Sequence, residues 1–160
     1  MIAGGFRRYG FDTAASQVAQ GIFEAAAEFP MHRLPELFSG LPRDKGSFPV
    51  PYLGASAPQA WAAASVFRLV AVLCGIHARV TPKGARELYV NPALPDWLPE
   101  LTISHLRAGR GAMDLRFQDG TVEELSNTTG YNIVRAPAPR PVPLSLRRTP
   151  RRRKEPASTV

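Results

Sequence analysis

The chain has 160 residues, of which 44% are hydrophobic, and a formal net charge of +7. This length suits one ordinary domain or a piece of a larger protein. A single cysteine, Cys74, excludes an internal disulfide. No apolar run reaches the roughly 20 residues of a transmembrane helix, and no secretory signal pattern is visible. We therefore expect a cytoplasmic protein with no membrane partner.

The positive charge is concentrated at the C-terminus. Residues 136–160 hold seven Lys/Arg and one Asp/Glu, whereas residues 1–135 hold thirteen and twelve. The segment 136–160 is rich in Pro and Arg and has no aromatic side chain, so it predicts a disordered basic tail without stacking groups for bases. A nucleic-acid partner is therefore not expected. A basic binding arm, a solvated tail and a frameshift or read-through product remain open.

Three helices are predicted in the first half of the chain, over residues 1–9, 14–29 and 58–74. Each carries apolar residues at helical spacing. No capping residue precedes the first, which suggests that the sequence begins inside a helix. The third is apolar on nearly all sides and is expected to be buried, but three helices cannot enclose it. Missing partner segments would explain this pattern. Cys74, at its end, is expected to be a buried small hydrophobe.

After Gly75 the hydrophobic period changes from helical to alternating. Leu115 and Phe117 alternate with Asp114 and Arg116, which is typical of a strand with one buried face. We predict a small antiparallel β unit over residues 77–135, following a helical segment over residues 1–76.

The sequence shows no pattern for a metal site or a bound cofactor. The three histidines are far apart and, with one cysteine, give no metal-ligand pattern; they are His32, His77 and His105. No cofactor motif is present. The sequon Asn127-Thr128-Thr129 is interpreted as chance.

A long Pro-rich stretch separates the second and third helices. It reads "LPELFSGLPRDKGSFPVPYLGASAPQAW" from Leu34 to Trp61. Long connections are often functional, and prolines restrict the backbone enough to position a side chain. Its notable carboxylate is Glu36. On composition alone, Glu36 is a surface carboxylate that caps the loop or pairs with Arg33 or Arg43.

The segments "LPELFSG", "FPVPY" and "SAPQAWAAASVFRL" resemble the C-terminal catalytic loop of the glycogen debranching enzyme (amylo-alpha-1,6-glucosidase) family of six-hairpin glycosidases. The flanks "FRRYGFDTAASQVAQGIFEAAAEF" and "LYVNPALPDWLPELTISHLRAG" are similar too. The resemblance covers about residues 1–135. It implies a mainly α fold with a small C-terminal antiparallel β unit. The helices would be the last of an (α/α)6 toroid, incomplete in this chain, with the catalytic loop at 30–57.

The resemblance also implies inverting hydrolysis of α-glucosidic bonds with Glu36 as the general base. Inversion needs a second carboxyl group roughly 6.5–9.5 Å away as the general acid. The family's acid lies upstream, and no segment here matches it. Arg43 and Gln59 are predicted to support the base and bind substrate. Trp61 is predicted either to stack on a sugar ring or to pack in the core.

These features favour a C-terminal fragment of a debranching-type hydrolase that is inactive alone. Its expected partners are an α-glucan or oligosaccharide substrate and the missing N-terminal part of the barrel, or a separately encoded half. The alternative is a non-catalytic interaction protein or barrel remnant that acts through exposed apolar helix faces or the basic tail.

Overall fold

The computed structural model describes residues 2–42, 44 and 47–139. Helices come first and strands follow. The helices are α1 (Ile2–Arg8), α2 (Asp12–Glu28), a short 3-10 turn (Pro30–His32) and α3 (Ala60–Leu73). The strands are β1 (His77–Val80), β2 (Arg86–Tyr89), β3 (Glu100–Ala108), β4 (Gly111–Gln118), β5 (Thr121–Asn127) and β6 (Asn132–Val134). Arg43 and residues 140–160 of the predicted basic tail lie outside the described residues.

The prediction of a mainly α fold, built from the last helices of an (α/α)6 toroid, is wrong. The described residues form a mixed α/β structure of three α-helices and two three-stranded sheets. The physical reason is the size of the side chains that the helices and the strands bury. The helices bury mostly alanine, as at Ala3, Ala19 and Ala26, whereas the largest fully buried side chain, Phe117, belongs to a strand. The strands therefore supply a large part of the buried core.

The two sheets differ in topology. Strands β3, β4 and β5 form an antiparallel meander, and the other sheet has the order β1-β2-β6. Strands β2 and β6 pair in parallel, with Leu88 opposite Ile133, so the prediction of a purely antiparallel unit is also wrong. Parallel neighbours require a long connection. The intervening meander provides that connection.

One hydrophobic core joins both sheets to the end of α3. Leu88 of β2, Phe117 of β4 and Val122 of β5 belong to the same buried cluster, together with Cys74. Cys74 is completely buried, which confirms that it is a small core residue. Burial raises the pKa of its thiol to about 12, so the reactive thiolate is scarce at neutral pH.

A tight turn fixes α3 to the sheets. Gly75 has a left-handed φ of +64°. The Ile76 N–H donates to Ala71 O at 2.9 Å and the Gly75 N–H to Val72 O at 3.1 Å, which is the Schellman motif that ends many helices. A Cβ on Gly75 would lie 2.2 Å from the carbonyl oxygen of Asn91. The turn and the segment around Asn91 are thus in close backbone contact.

α3 is covered on one side only. Leu69 and Leu73 pack with α1 and α2, while Trp61 and Phe67 are 58% and 77% exposed. This exposed side is the one for which the sequence suggests missing partner segments. Within residues 2–42, 44 and 47–139, no helix combines the length and hydropathy that crossing a bilayer requires.

Candidate functional site

The loop between the 3-10 turn and α3 is folded as a long hairpin. Its two arms run antiparallel, and Phe38 forms an isolated bridge with Pro51. Backbone hydrogen bonds join the arms from Gln59 N–H to Leu34 O at 3.1 Å, Glu36 N–H to Ser56 O at 2.8 Å, Tyr52 N–H to Leu37 O at 3.0 Å and Ser39 N–H to Val50 O at 2.9 Å. These four bonds hold residues 34–39 against residues 50–59.

The base of this loop is packed against two helices. Leu34 is only 2% exposed and belongs to a core cluster with Ala26 of α2 and Ala62 of α3. The ring of Phe29 lies 6.0 Å from that of Phe38 and 5.1 Å from that of Phe48, both measured between ring centroids. These contacts fix the loop relative to α2 and α3, so the position of Glu36 is fixed with it.

Glu36 is half-buried and forms a reciprocal pair with Ser56. Its N–H donates to Ser56 O at 2.8 Å, and its Oε2 accepts the Ser56 N–H at 3.3 Å. Among the described residues, Glu36 has no ion pair, so the predicted pairing with Arg33 is not formed. Its Oε1 accepts no hydrogen bond from that part of the chain. Glu36 therefore closes the loop and keeps one carboxylate oxygen available to a water molecule.

The other predicted site residues are only partly brought together. Gln59 is the N-cap of α3, and its Oε1 accepts the Ala60 N–H at 2.9 Å, which leaves its NH₂ for a ligand. Trp61 is too exposed, at 58%, for a role in the core. Both residues lie at the base of the loop, where the Gln59 N–H donates to Leu34 O. Arg43 falls outside the described residues and is not placed.

Tyr52 is an aromatic residue that the sequence analysis did not select. It is 58% exposed and lies on the arm opposite Leu37. The motif "FPVPY" contains it, but nothing in the motif shows that this ring is exposed. Together with Phe48, which is 51% exposed, and Trp61, it is one of three exposed aromatic side chains in the described part of the loop and the start of α3.

A small apolar cavity of about 190 Å³ lies between α2 and the loop tip. Ile22, Phe38 and Phe48 are among its lining residues, and Glu36, Gln59 and Trp61 are not. The predicted site is therefore not part of this cavity.

Comparison with protein-family models gives no match, and comparison with curated proteins gives none. In the described part of the chain, no three His, Cys, Asp or Glu side chains are grouped as metal ligands. A function for the loop is therefore inferred from its geometry and its motifs.

A second polar constellation, at Asp114, joins three strands. Asp114 Oδ1 accepts the backbone N–H of His105 and Oδ2 accepts the Ser126 hydroxyl, both at 2.6 Å. A nucleophilic triad needs the serine on the imidazole and the imidazole on the carboxylate. Here both donors bond directly to the carboxylate, and His105 uses its backbone. The cluster instead holds irregular strand pairing together, since register shifts occur next to His105 and at Asp114.

These hydrogen bonds make stability depend on pH. The Ser126 hydroxyl and then the His105 N–H lower the pKa of Asp114 below its ordinary value of 3.8. The stabilisation is thus complete above about pH 4 and is lost as pH falls through the lower folded pKa.

Asp114→Asn should lower the melting temperature by a few degrees at pH 7, and the difference from wild type should shrink at pH 2–3. The exposed Asp96→Asn is the control in thermal melts at both pH values. An equal deficit at pH 7 and pH 2.5 would contradict this account.

Proposed function

We propose that this chain supplies the general base, Glu36, of an inverting hydrolase of α-glucosidic bonds, and that another polypeptide segment supplies the general acid. The observation that carries the proposal is the geometry of Glu36. Its backbone and Oε2 are bonded to Ser56 in a loop packed on two helices, while Oε1 has no partner among the described residues. A general base needs this combination of fixed orientation and access to water.

The reaction uses the two oxygens of the carboxylate differently. Oε2, held by the Ser56 N–H, fixes the orientation of the group. Oε1 accepts a proton from a water molecule as that water's oxygen bonds to the anomeric carbon. The glycosidic bond breaks at the same time, and the general acid protonates the leaving oxygen. The water fits between the two carboxyl groups if they stand roughly 6.5–9.5 Å apart.

Exposed aromatic rings support a carbohydrate substrate. Trp61 and Tyr52 are each 58% exposed. Tyr52 lies in the same loop as Glu36, and Trp61 lies in the first turn of α3, directly after that loop. An amphipathic ring can cover the apolar face of a sugar and leave its hydroxyls to polar groups. The NH₂ of Gln59 is available as such a group, and Arg43 is proposed as another from the motif alone.

The exposed side of α3 also favours a partner protein. Phe67 is 77% exposed and Ile2 of α1 is 72% exposed, and exposed apolar groups of this size often mark an interface. In the proposed hydrolase, the polypeptide carrying the general acid covers them. In the alternative, a non-catalytic interaction protein, a partner covers them and Glu36 only closes the loop.

Carbohydrate binding by the chain alone tests the proposal. We expect it to bind maltoheptaose without releasing glucose, and Trp61→Ala to weaken binding about fivefold, the equivalent of ~1 kcal/mol. The matched control is Phe67→Ala, which removes another exposed aromatic side chain of α3. Calorimetry and a glucose assay give both readouts. Absence of binding, or equal losses in both variants, would contradict the proposed site, and robust glucose release would contradict the need for a second segment.

A further inference from the structure

A larger cleft lies between α1, α3 and the start of β1. Its volume is about 610 Å³. The cationic and titratable side chains that line it are Arg7, Arg8, Arg68 and His77. None of the described residues that line it is Asp or Glu. Four basic groups from three elements therefore meet in one concave surface.

The charges of this cleft are only partly neutralised. Arg7 pairs with Asp12 at 2.7 Å and also donates to the carbonyl oxygen of Asn91. The Arg7 Nε–H is buried without a partner within the described chain. Arg8 and Arg68 have no ion pair with any described residue. The guanidinium groups of Arg8 and Arg68 are thus left for an anion from solution.

The remaining walls indicate the kind of anion. Val72, Ile76 and Pro137 give the cleft an apolar part, and Gly4 and Gly5 leave its α1 side without bulk. Its volume falls in the range of small-molecule sites, which combine apolar walls with a few placed polar groups. Guanidinium groups match the geometry of phosphate oxygens and can bind them through paired hydrogen bonds.

We propose that this cleft binds a phosphate group through Arg8 and Arg68, with Arg7 held beside them by Asp12 and Asn91. The ligand is either a phosphorylated small molecule, whose organic part contacts the apolar wall, or free inorganic phosphate. The site is separate from the Glu36 loop, and its occupancy is independent of any hydrolysis there.

Calorimetric titration of the full chain at low ionic strength tests this site, with glucose 6-phosphate, glucose and inorganic phosphate as probes. Glucose 6-phosphate should bind and glucose should not. Arg8→Gln and Arg68→Gln should each weaken binding at least about tenfold, since each removes charge-assisted hydrogen bonds. Tighter binding of the sugar phosphate assigns the cleft to an organic ligand, and equal binding of inorganic phosphate assigns it to the free ion.

Two control variants separate the cleft from general basicity. Arg110→Gln removes an exposed arginine that does not line the cleft, and replacement of Arg151, Arg152 and Arg153 by Gln removes charge from the basic tail. Both should bind glucose 6-phosphate like wild type. The proposal is overturned if Arg8→Gln and Arg68→Gln bind like wild type in variants that melt normally, if either control loses as much affinity, or if no phosphate probe binds.

Discussion

Glu36→Gln should lower kcat of the assembled hydrolase by about 10³-fold, while KM changes only a few-fold. A general base typically contributes 10²–10⁴-fold to the rate, and the amide keeps an oxygen at the position that accepts the Ser56 N–H. The loop should therefore keep its shape while the water loses its proton acceptor. Steady-state kinetics on a maltooligosaccharide, with the general-acid segment present, measure both constants.

The matched control is Glu124→Gln, which makes the same chemical change at an exposed position of β5. It should leave kcat and KM unchanged. A further check is azide, an anionic nucleophile that needs no general base. It should bond to the anomeric carbon in place of water as the glycosidic bond breaks, and so partly restore substrate turnover by Glu36→Gln with a glycosyl azide of inverted configuration as the product. If Glu36→Gln changes kcat no more than Glu124→Gln does, Glu36 is only the carboxylate that closes the loop, and the interaction-protein alternative is favoured.

Gly75→Ala should reduce the free energy of unfolding by about 2–4 kcal/mol. The φ of +64° is unfavourable for alanine by about 1 kcal/mol. The new Cβ would also stand 2.2 Å from Asn91 O and 2.7 Å from Asn91 C. Backbone atoms must move to relieve that overlap, and overpacking typically costs about 1–3 kcal/mol more. The shift would strain the bond from Ala93 N–H to Leu73 O, now 2.9 Å.

Gly120→Ala separates these two costs. Gly120 has a similar φ of +69°, but a Cβ there meets no atom within 4 Å. The free energy of unfolding of Gly120→Ala should therefore fall only by the cost of placing alanine at positive φ, about 1 kcal/mol. Urea unfolding of the two variants measures the difference. Equal reductions of the free energy of unfolding in the two variants would show that the close approach to Asn91 does not contribute to the cost of Gly75→Ala.

The elements themselves were largely predictable from local sequence. The second helix was predicted over residues 14–29 and spans Asp12–Glu28, just before Pro30. The Asp119-Gly120 turn, a sequence typical of hairpins, joins β4 to β5 with both residues at positive φ. The balance between α and β was not predictable. The resemblance gave most weight to the helices, whereas the largest buried side chains alternate along β4. The parallel pairing of β2 with β6 depends on contacts across forty residues, which no local pattern encodes.

The candidate site was predicted less completely. The motif located Glu36 in a stiff loop, but its reciprocal bonds with Ser56 depend on how the two arms meet. Trp61 could have been buried or exposed, since its helix is apolar on most sides and only packing decides which side is covered. The cleft could not be predicted from the sequence, because Arg8 and Arg68 are sixty positions apart and line one cleft only when α1 packs on α3.

The way the two arms of the loop are joined has a consequence for evolution. Four of the bonds between the arms use main-chain atoms alone, so they place few demands on the side chains that project from the arms. Leu37, Tyr52 and Leu53 are all at least half exposed and can be exchanged at little cost to stability. In the proposed hydrolase, substitutions there would change which sugars are accepted while Glu36 stays in place, so new specificities would arise without redesign of the scaffold.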